Sequence, residues 1–106
     1  MNYYQQGDVL IKPIVLPSDV KKVSPKDRGY ILAEGEATGH AHRIIEIESD
    51  IIEMFEKDGQ LYVKNKKPVS IVHEEHKTIE IPQGEWKIEI VKEYDHFLEE
   101  ARNVQD

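Results

Sequence analysis

The sequence predicts a mainly β fold, a small antiparallel barrel or sandwich with one C-terminal helix. Short stretches rich in β-branched and aromatic residues recur along the chain, bounded by Gly, Pro, Asn and Asp. Near the end, Trp86, Ile88 and Ile90 alternate with other residues at the period of two that a half-buried strand requires. The last residues change to a helical period. Because 106 residues are too few for two ordinary domains, we expect one β-barrel domain over 1–106.

The first predicted strand covers Asp8–Leu16, and its proline, Pro13, has no N–H to donate, which favours an edge strand or a bulge. The polar segment Pro17–Arg28 is predicted to be a loop with one short helical turn at Asp19–Lys22. Seven more strands complete the prediction, at Tyr30–Glu34, His40–Glu48, Ile51–Glu56, Leu61–Lys64, Val69–His73, Thr78–Ile81 and Trp86–Lys92.

Two connections carry specific turn signals. Lys57–Gln60 contains Asp-Gly, which supplies the positive φ angles of a tight hairpin. Pro82–Glu85 places proline where a turn needs φ near −65° and glycine where it needs a positive φ. About eight short strands joined in this way predict an antiparallel barrel or sandwich.

The C-terminal segment is predicted to be a helix over about 94–104. Five apolar residues lie at i, i+3, i+4, i+7 and i+10, which places them on one stripe: Tyr94, Phe97, Leu98, Ala101 and Val104. Asp95 can cap the helix. We expect the stripe to pack on the β domain as a lid, and a partner-binding helix is the alternative.

Composition excludes several classes of protein. The chain has no cysteine, which excludes a disulfide scaffold, a thiolate zinc ribbon and a thiol nucleophile. Its net charge of −7 disfavours nucleic-acid and anionic-membrane partners. Since the sequence has no run of about 20 apolar residues and no signal-peptide pattern, we expect a cytoplasmic protein without a membrane partner. A homo-oligomer stays open.

Four of the five histidines fall in two close pairs, and both pairs are candidate metal ligands. His40 and His42 lie at i and i+2 of a predicted strand, so their side chains share a face and can converge on one ion. Glu46 lies on the same face if that strand continues unbroken.

The second pair, His73 and His76, lies between two predicted strands in a segment that also contains Glu74 and Glu75. With a spacing of i, i+3 both imidazoles can serve one site only if the backbone turns there. A carboxylate of this segment could supply a ligand or a general base. The alternatives are solvated surface histidines paired with neighbouring glutamates, and histidines that act directly in acid–base chemistry.

Five segments of the sequence support a comparison with known proteins: Gln6–Leu10, Leu32–His42, Val72–His76, Ile81–Gly84 and Glu93–Asp95. Together they resemble a family of short bacterial and phage proteins without an established activity. It covers nearly the whole chain and implies a single domain.

The histidine segment also resembles the metal-binding motifs of cupins. His40, His42 and Glu46 match the His-x-His-x₃-Glu core of the first motif, and Pro82–Gly84 matches Pro-x-Gly of the second. Lys87 stands where the second motif has its histidine, so a cupin-like site would need a ligand from His73 or His76.

A third resemblance concerns the fold alone. Asp8–Pro13 and Gly29–Gly35 are similar to the opening strand and the glycine-bounded segment of the chaperonin-ten barrel. The apolar loop that would engage a chaperonin is absent from Pro17–Arg28.

These observations lead to one functional hypothesis and one alternative. We expect a small metal-binding β-barrel protein with His40, His42, His73 and His76 as ligands, and a metal-dependent enzyme of unspecified reaction is one form of it. Imidazole and carboxylate ligands suit zinc, iron, nickel or manganese. The alternative is a non-catalytic protein-interaction or oligomeric module whose histidines are incidental.

Overall fold

A computed structural model of the chain describes residues 2–35 and 39–91, and these residues form ten β-strands. The strands are β1 (Tyr4–Gln6), β2 (Val9–Pro13), β3 (Lys21–Val23), β4 (Tyr30–Glu34), β5 (Ala41–Ile44), β6 (Ile52–Lys57), β7 (Gln60–Asn65), β8 (Val69–Val72), β9 (Ile79–Ile81) and β10 (Gly84–Ile90). The predicted helix over 94–104 lies outside the described residues. Within the described part, no helix has the length and apolar character needed to cross a membrane.

The strands pair into two antiparallel sheets around one core. The larger sheet has the order β1-β2-β10-β7-β6-β3, and the smaller has the order β4-β5-β8-β9. Alternate residues of both sheets enter the same apolar cluster, for example Ile11 and Val63 from the larger sheet and Ile44 and Ile71 from the smaller. This alternation is the reason that the sequence pattern predicted eight of the ten strands.

The two sheets do not close into a barrel within the described residues, so the barrel form of the prediction is wrong. Closure would require a backbone ladder between edge strands. At one seam, where edge strand β1 approaches β8 and the chain that enters β9, a side chain makes the connection. The Gln6 amide donates to the carbonyls of Ile71 and Lys77 at 2.9 Å each.

The hairpin predicted at Asp58-Gly59 is confirmed. Both residues have positive φ, 51° and 80°, and strands β6 and β7 pair directly across them. A second two-residue hairpin joins β1 to β2 through Gly7 and Asp8, with Gly7 at φ 58°.

The turn predicted at Pro82–Glu85 is wrong in kind. Pro82 and Gln83 carry the chain from β9 in the smaller sheet to β10 in the larger, and Gly84 begins β10 without a positive φ. A Cβ at Gly84 would lie 3.1 Å from the Trp86 ring, so close packing explains this glycine. The Trp86 indole in turn donates to the Asn65 side chain, which donates to the Pro82 carbonyl.

Two short strands were not predicted from the sequence. β1 consists of three residues before the first predicted strand, and β3 replaces the helical turn predicted at Asp19–Lys22. Pairing of Lys21–Val23 with β6 supplies β3 with its backbone partners, and Asp19 with φ 67° turns the chain just before it.

Candidate metal centre

Three histidines converge where the β1 edge of the larger sheet meets the smaller sheet. His42 lies on β5, and His73 and His76 lie on the connection between β8 and β9. Each offers a ring nitrogen, and the three nitrogens lie within 4.8 Å of one another. The His73 ring stands between the other two, with centroid separations of 4.3 Å to His42 and 4.6 Å to His76.

The backbone explains this convergence. Strand β8 ends at Val72, and the chain turns before β9 begins at Ile79, so His73 and His76 escape the alternation that would point them to opposite faces. The backbone therefore turns between His73 and His76, as the i, i+3 spacing requires if both are to serve one site. His42 is buried, His73 is half-buried and His76 is exposed, so the group opens from the core to the surface.

Gln6 fixes the tautomer of His42. Both hydrogens of the Gln6 amide are donated to carbonyls, so its oxygen Oε1 is left as an acceptor. Nδ1 of His42 lies 2.8 Å from Oε1 and must therefore donate its hydrogen. In the neutral ring the lone pair is then on Nε2, which is the arrangement that metal-binding histidines obtain from a second hydrogen-bonding partner.

Burial keeps the His42 ring neutral. Desolvation and the positive charge that His73 would carry lower its pKa from 6.5 to about 4, against the raising influence of Asp8. Nε2 lies 3.4 Å from Oδ1 of Asp8, a carboxylate on the β1–β2 turn. At neutral pH a lone pair and a carboxylate oxygen therefore face each other.

His73 is held by a hydrogen bond that metal binding would break. Its Nδ1 accepts the Glu75 backbone N–H at 3.0 Å. A metal on Nδ1 would take the same lone pair, and a metal on Nε2 would move the proton to Nδ1, which then faces a donor. Desolvation and the neighbouring His76 lower the pKa of His73, which favours the neutral form that a metal ligand requires.

Glu74 fastens the histidine connection to β5. Its Oε1 accepts the Ala41 backbone N–H at 3.0 Å, and its Oε2 contacts the guanidinium groups of Arg28 and Arg43. The Ala41 hydrogen bond and the two arginines lower the pKa of Glu74 to about 2. With its oxygens engaged in this way, Glu74 positions the loop between His73 and His76 beside His42.

His40 belongs to a neighbouring group and does not share the first one with His42. A second set of ligand atoms within 4.8 Å consists of His40, His73 and Glu74, so His73 is common to both sets. His40 precedes β5, which begins at Ala41, and the β4–β5 register shifts between Ile31 and Ala33. The i, i+2 convergence predicted for a regular strand is therefore not formed.

The Nδ1 atom of His40 is buried and makes no hydrogen bond within the described residues. The Glu75 carboxylate lies 3.3 Å away without the alignment of a hydrogen bond. Glu46, the other candidate carboxylate, accepts the N–H groups of Ile47 and Glu48 beyond the end of β5. The unbroken strand that would bring Glu46 to the histidines is absent.

Two glycines make room for the imidazole rings. A Cβ at Gly7 would lie 2.7 Å from Nε2 of His76 and 3.1 Å from Cε1 of His42. A Cβ at Gly35 would lie 3.2 Å from Nε2 of His73. The rings therefore pack against bare backbone at both positions.

Sequence reasoning missed Gln6 and Asp8 as parts of this group. Their segment, Gln6–Asp8, has the composition of a hairpin turn, and it forms one. The sequence offers no signal that Gln6, a polar residue before an apolar strand, is buried.

A family model described as "Domain of unknown function (DUF8820)" matches residues 5–91. The matched range contains every residue of the histidine group. No curated protein matches the chain, and no solved structure matches it.

Proposed function

We propose that this chain, which belongs to the DUF8820 family of unknown function, binds a divalent transition-metal ion through His42, His73 and His76. The convergence of three imidazole nitrogens within 4.8 Å carries the proposal. Three imidazoles are a ligand set that Zn²⁺ and other late first-row metals accept.

The surroundings support neutral ligands. A metal displaces protons from its ligands, so imidazoles that are already neutral bind it at least cost. His42 meets this condition through its burial and through Gln6, which holds the hydrogen on Nδ1 and leaves the lone pair on Nε2. The pKa of His73 is lowered as well.

Closing the site requires modest movement. With metal–nitrogen bonds of 2.0–2.1 Å, tetrahedral ligands lie about 3.3–3.4 Å apart, and the nitrogens here all lie within 4.8 Å of one another. Because Glu74 fastens the connection to β5, rotation of the exposed His76 side chain supplies the approach. His73 must also give up the hydrogen bond from the Glu75 backbone N–H.

Metal analysis of the untagged protein tests the proposal. After reconstitution and gel filtration, we expect about one equivalent of metal in the wild type. His76→Ala removes an exposed ligand and should lose the metal with the fold intact. His40→Ala, the matched variant in the neighbouring group, should retain it.

Each alternative has its own outcome. Loss of metal in His40→Ala with retention in His76→Ala would move the site to His40, His73 and Glu74. A wild type that takes up no metal would refute metal binding altogether. The non-catalytic interaction module would then be the preferred function. Because we expect its relatives in bacteria and phages, its partner would be sought there. If the protein binds a metal, one coordination position could be left for a water molecule. The chemistry to test would then be metal-activated hydrolysis or binding of a small substrate.

A further inference from the structure

Building on the proposed metal site, we propose that Asp8 is its fourth protein ligand, which makes a tetrahedral His₃Asp centre suited to Zn²⁺. The inference concerns the identity of the metal and a residue on a turn of the larger sheet, whereas the three histidines lie on the smaller sheet and its β8–β9 connection. It rests on the geometry between His42 and Asp8.

The first step is the chemistry of the two facing atoms. Because Nδ1 of His42 donates to Gln6, the opposite nitrogen Nε2 presents a lone pair in the neutral ring. Oδ1 of Asp8 lies 3.4 Å from it and is also an acceptor. Two acceptors that face each other repel unless a cation lies between them.

The second step is the distance. Two ligands of a tetrahedral ion with bonds of 2.0–2.1 Å are separated by about 3.3–3.4 Å, which equals the observed 3.4 Å. Adjacent ligands of an octahedral ion with the same bond lengths would be only about 3 Å apart. The separation of this one pair is therefore the one that a tetrahedral ion requires, and Zn²⁺ is the common divalent ion that adopts that geometry in proteins.

The third step is the position of Asp8. Gly7 and Asp8 form the two-residue turn between β1 and β2, and a Cβ at Gly7 would press against His76 and His42. The turn therefore lies directly over two of the three imidazoles. Asp8 is not among the residues whose ligand atoms all lie within 4.8 Å of one another, so its carboxylate must rotate to join the three histidines. The Asp8 side chain is 58% exposed, which gives the carboxylate that freedom.

One competing account places a proton between the two atoms, so that His42 is an imidazolium paired with Asp8. That account involves the His42–Asp8 pair alone, whereas a bound ion would also use the two further imidazole rings that lie against His42. The two accounts predict opposite effects of removing the carboxylate.

The experiment compares Asp8→Asn with Asp58→Asn for Zn²⁺ affinity, measured by competition with a chromophoric chelator. Asp58 also lies in a two-residue hairpin turn, so both variants remove one carboxylate from the same structural setting. The two turns are three strand spacings apart in the sheet order, or about 14 Å. At physiological ionic strength the Debye length is about 8 Å, so Asp58 contributes little to the field at the site.

We expect Asp8→Asn to weaken Zn²⁺ binding at least about tenfold, since even second-sphere changes weaken metal sites by 10–100-fold, and Asp58→Asn to leave it unchanged. With Co²⁺ as the probe, the wild type should give the intense visible absorption of a tetrahedral ion. That absorption should weaken or change in Asp8→Asn. Circular dichroism checks that both variants are folded.

Three results would overturn the inference. Equal affinities of Asp8→Asn and the wild type would mean a centre with three protein ligands. Tighter binding in Asp8→Asn would mean that Asp8 stabilises a protonated His42, which competes with the metal. A wild type that binds neither Zn²⁺ nor Co²⁺ would refute the metal site itself, an outcome distinct from the first two because it appears before any substitution.

Discussion

Replacing Gln6 by leucine tests the hydrogen-bond arrangement on which the site depends. The Gln6 side chain makes three hydrogen bonds, donating to the carbonyls of Ile71 and Lys77 and accepting from Nδ1 of His42. Leucine is similar in size and makes none of them. The Lys77 carbonyl lies at an exposed residue and can bind water, whereas the His42 N–H and the Ile71 carbonyl belong to buried residues.

The expected cost follows from these two buried groups. A buried polar group without a partner costs about 1–3 kcal/mol, so two cost about 2–6 kcal/mol. Burial of the leucine side chain offsets about 1.5–2 kcal/mol. The net loss is then about 0–4.5 kcal/mol, centred at about 2 kcal/mol, of a total stability of about 5–15 kcal/mol. A loss of about 2.5 kcal/mol lowers Tm by roughly 10–20 °C in a domain of this size.

Urea unfolding of the metal-free protein measures the loss, with Gln5→Leu as the matched control. Gln5 is the neighbouring glutamine on β1, and its amide donates only to the exposed Gly7 carbonyl, so its replacement should change stability by less than about 0.5 kcal/mol. Adding His42→Leu to Gln6→Leu should restore about 1–3 kcal/mol relative to additivity, because the orphaned N–H is gone. Equal stabilities of the Gln5 and Gln6 variants would refute the reasoning.

Three further predictions concern the turn, the loop and the pH dependence. Gly7→Ala and Gly59→Ala should each lower the free energy of unfolding by about 1 kcal/mol, measured with urea, because both positions have positive φ. Only Gly7→Ala should weaken metal binding in chelator competition. A Cβ at Gly7 meets His76, whereas a Cβ at Gly59 meets nothing within 4 Å. Glu74→Gln should reduce the fall in the free energy of unfolding between about pH 4.5 and 2. A carboxylate with a lowered pKa stabilises the fold above that pH range and loses the effect as it is protonated. An unchanged dependence of stability on acid pH would contradict this. The unfolded state binds more protons than the folded one at His42 between pH 6.5 and about 4, so the metal-free protein should lose stability as pH falls through that range, and a His42→Leu variant should lose less.

The strands could be predicted because their signals are local. Alternation places Ile88 and Trp86 in the core, and Asp58-Gly59 specifies its own hairpin whatever surrounds it. The choice between a closed barrel and two sheets is not local, because it depends on whether edge strands far apart in sequence form a ladder. At the β1 edge the sheets are joined by the Gln6 side chain, which donates hydrogen bonds to carbonyls that are 65 and 71 positions further along the chain.

The same reasoning separates the predicted from the unpredicted parts of the site. His42, His73 and His76 could be named as candidate ligands from residue type and spacing, because few residues other than histidine are neutral nitrogen ligands, and the structure brings the three together. The role of Gln6 could not be predicted from the sequence, since its contact with His42 joins residues that are 36 positions apart. His40 was named from its spacing to His42, but the strand begins one residue later and His40 lies in the neighbouring candidate group.

A ligand contributed by Asp8 would change what the metal does for the fold. His42 and the connection that carries His73 and His76 belong to the smaller sheet, whereas the β1–β2 turn belongs to the larger sheet. With three histidines alone, the ion would brace one sheet and its loop. With Asp8 it would join the two sheets at the edge where no backbone ladder joins them in the described residues, beside the Gln6 hydrogen bonds. An ion present at a hundred times its Kd stabilises the native state by about 2.7 kcal/mol, which is comparable to the calculated cost of losing Gln6. The metal and the glutamine would therefore both stabilise the same seam.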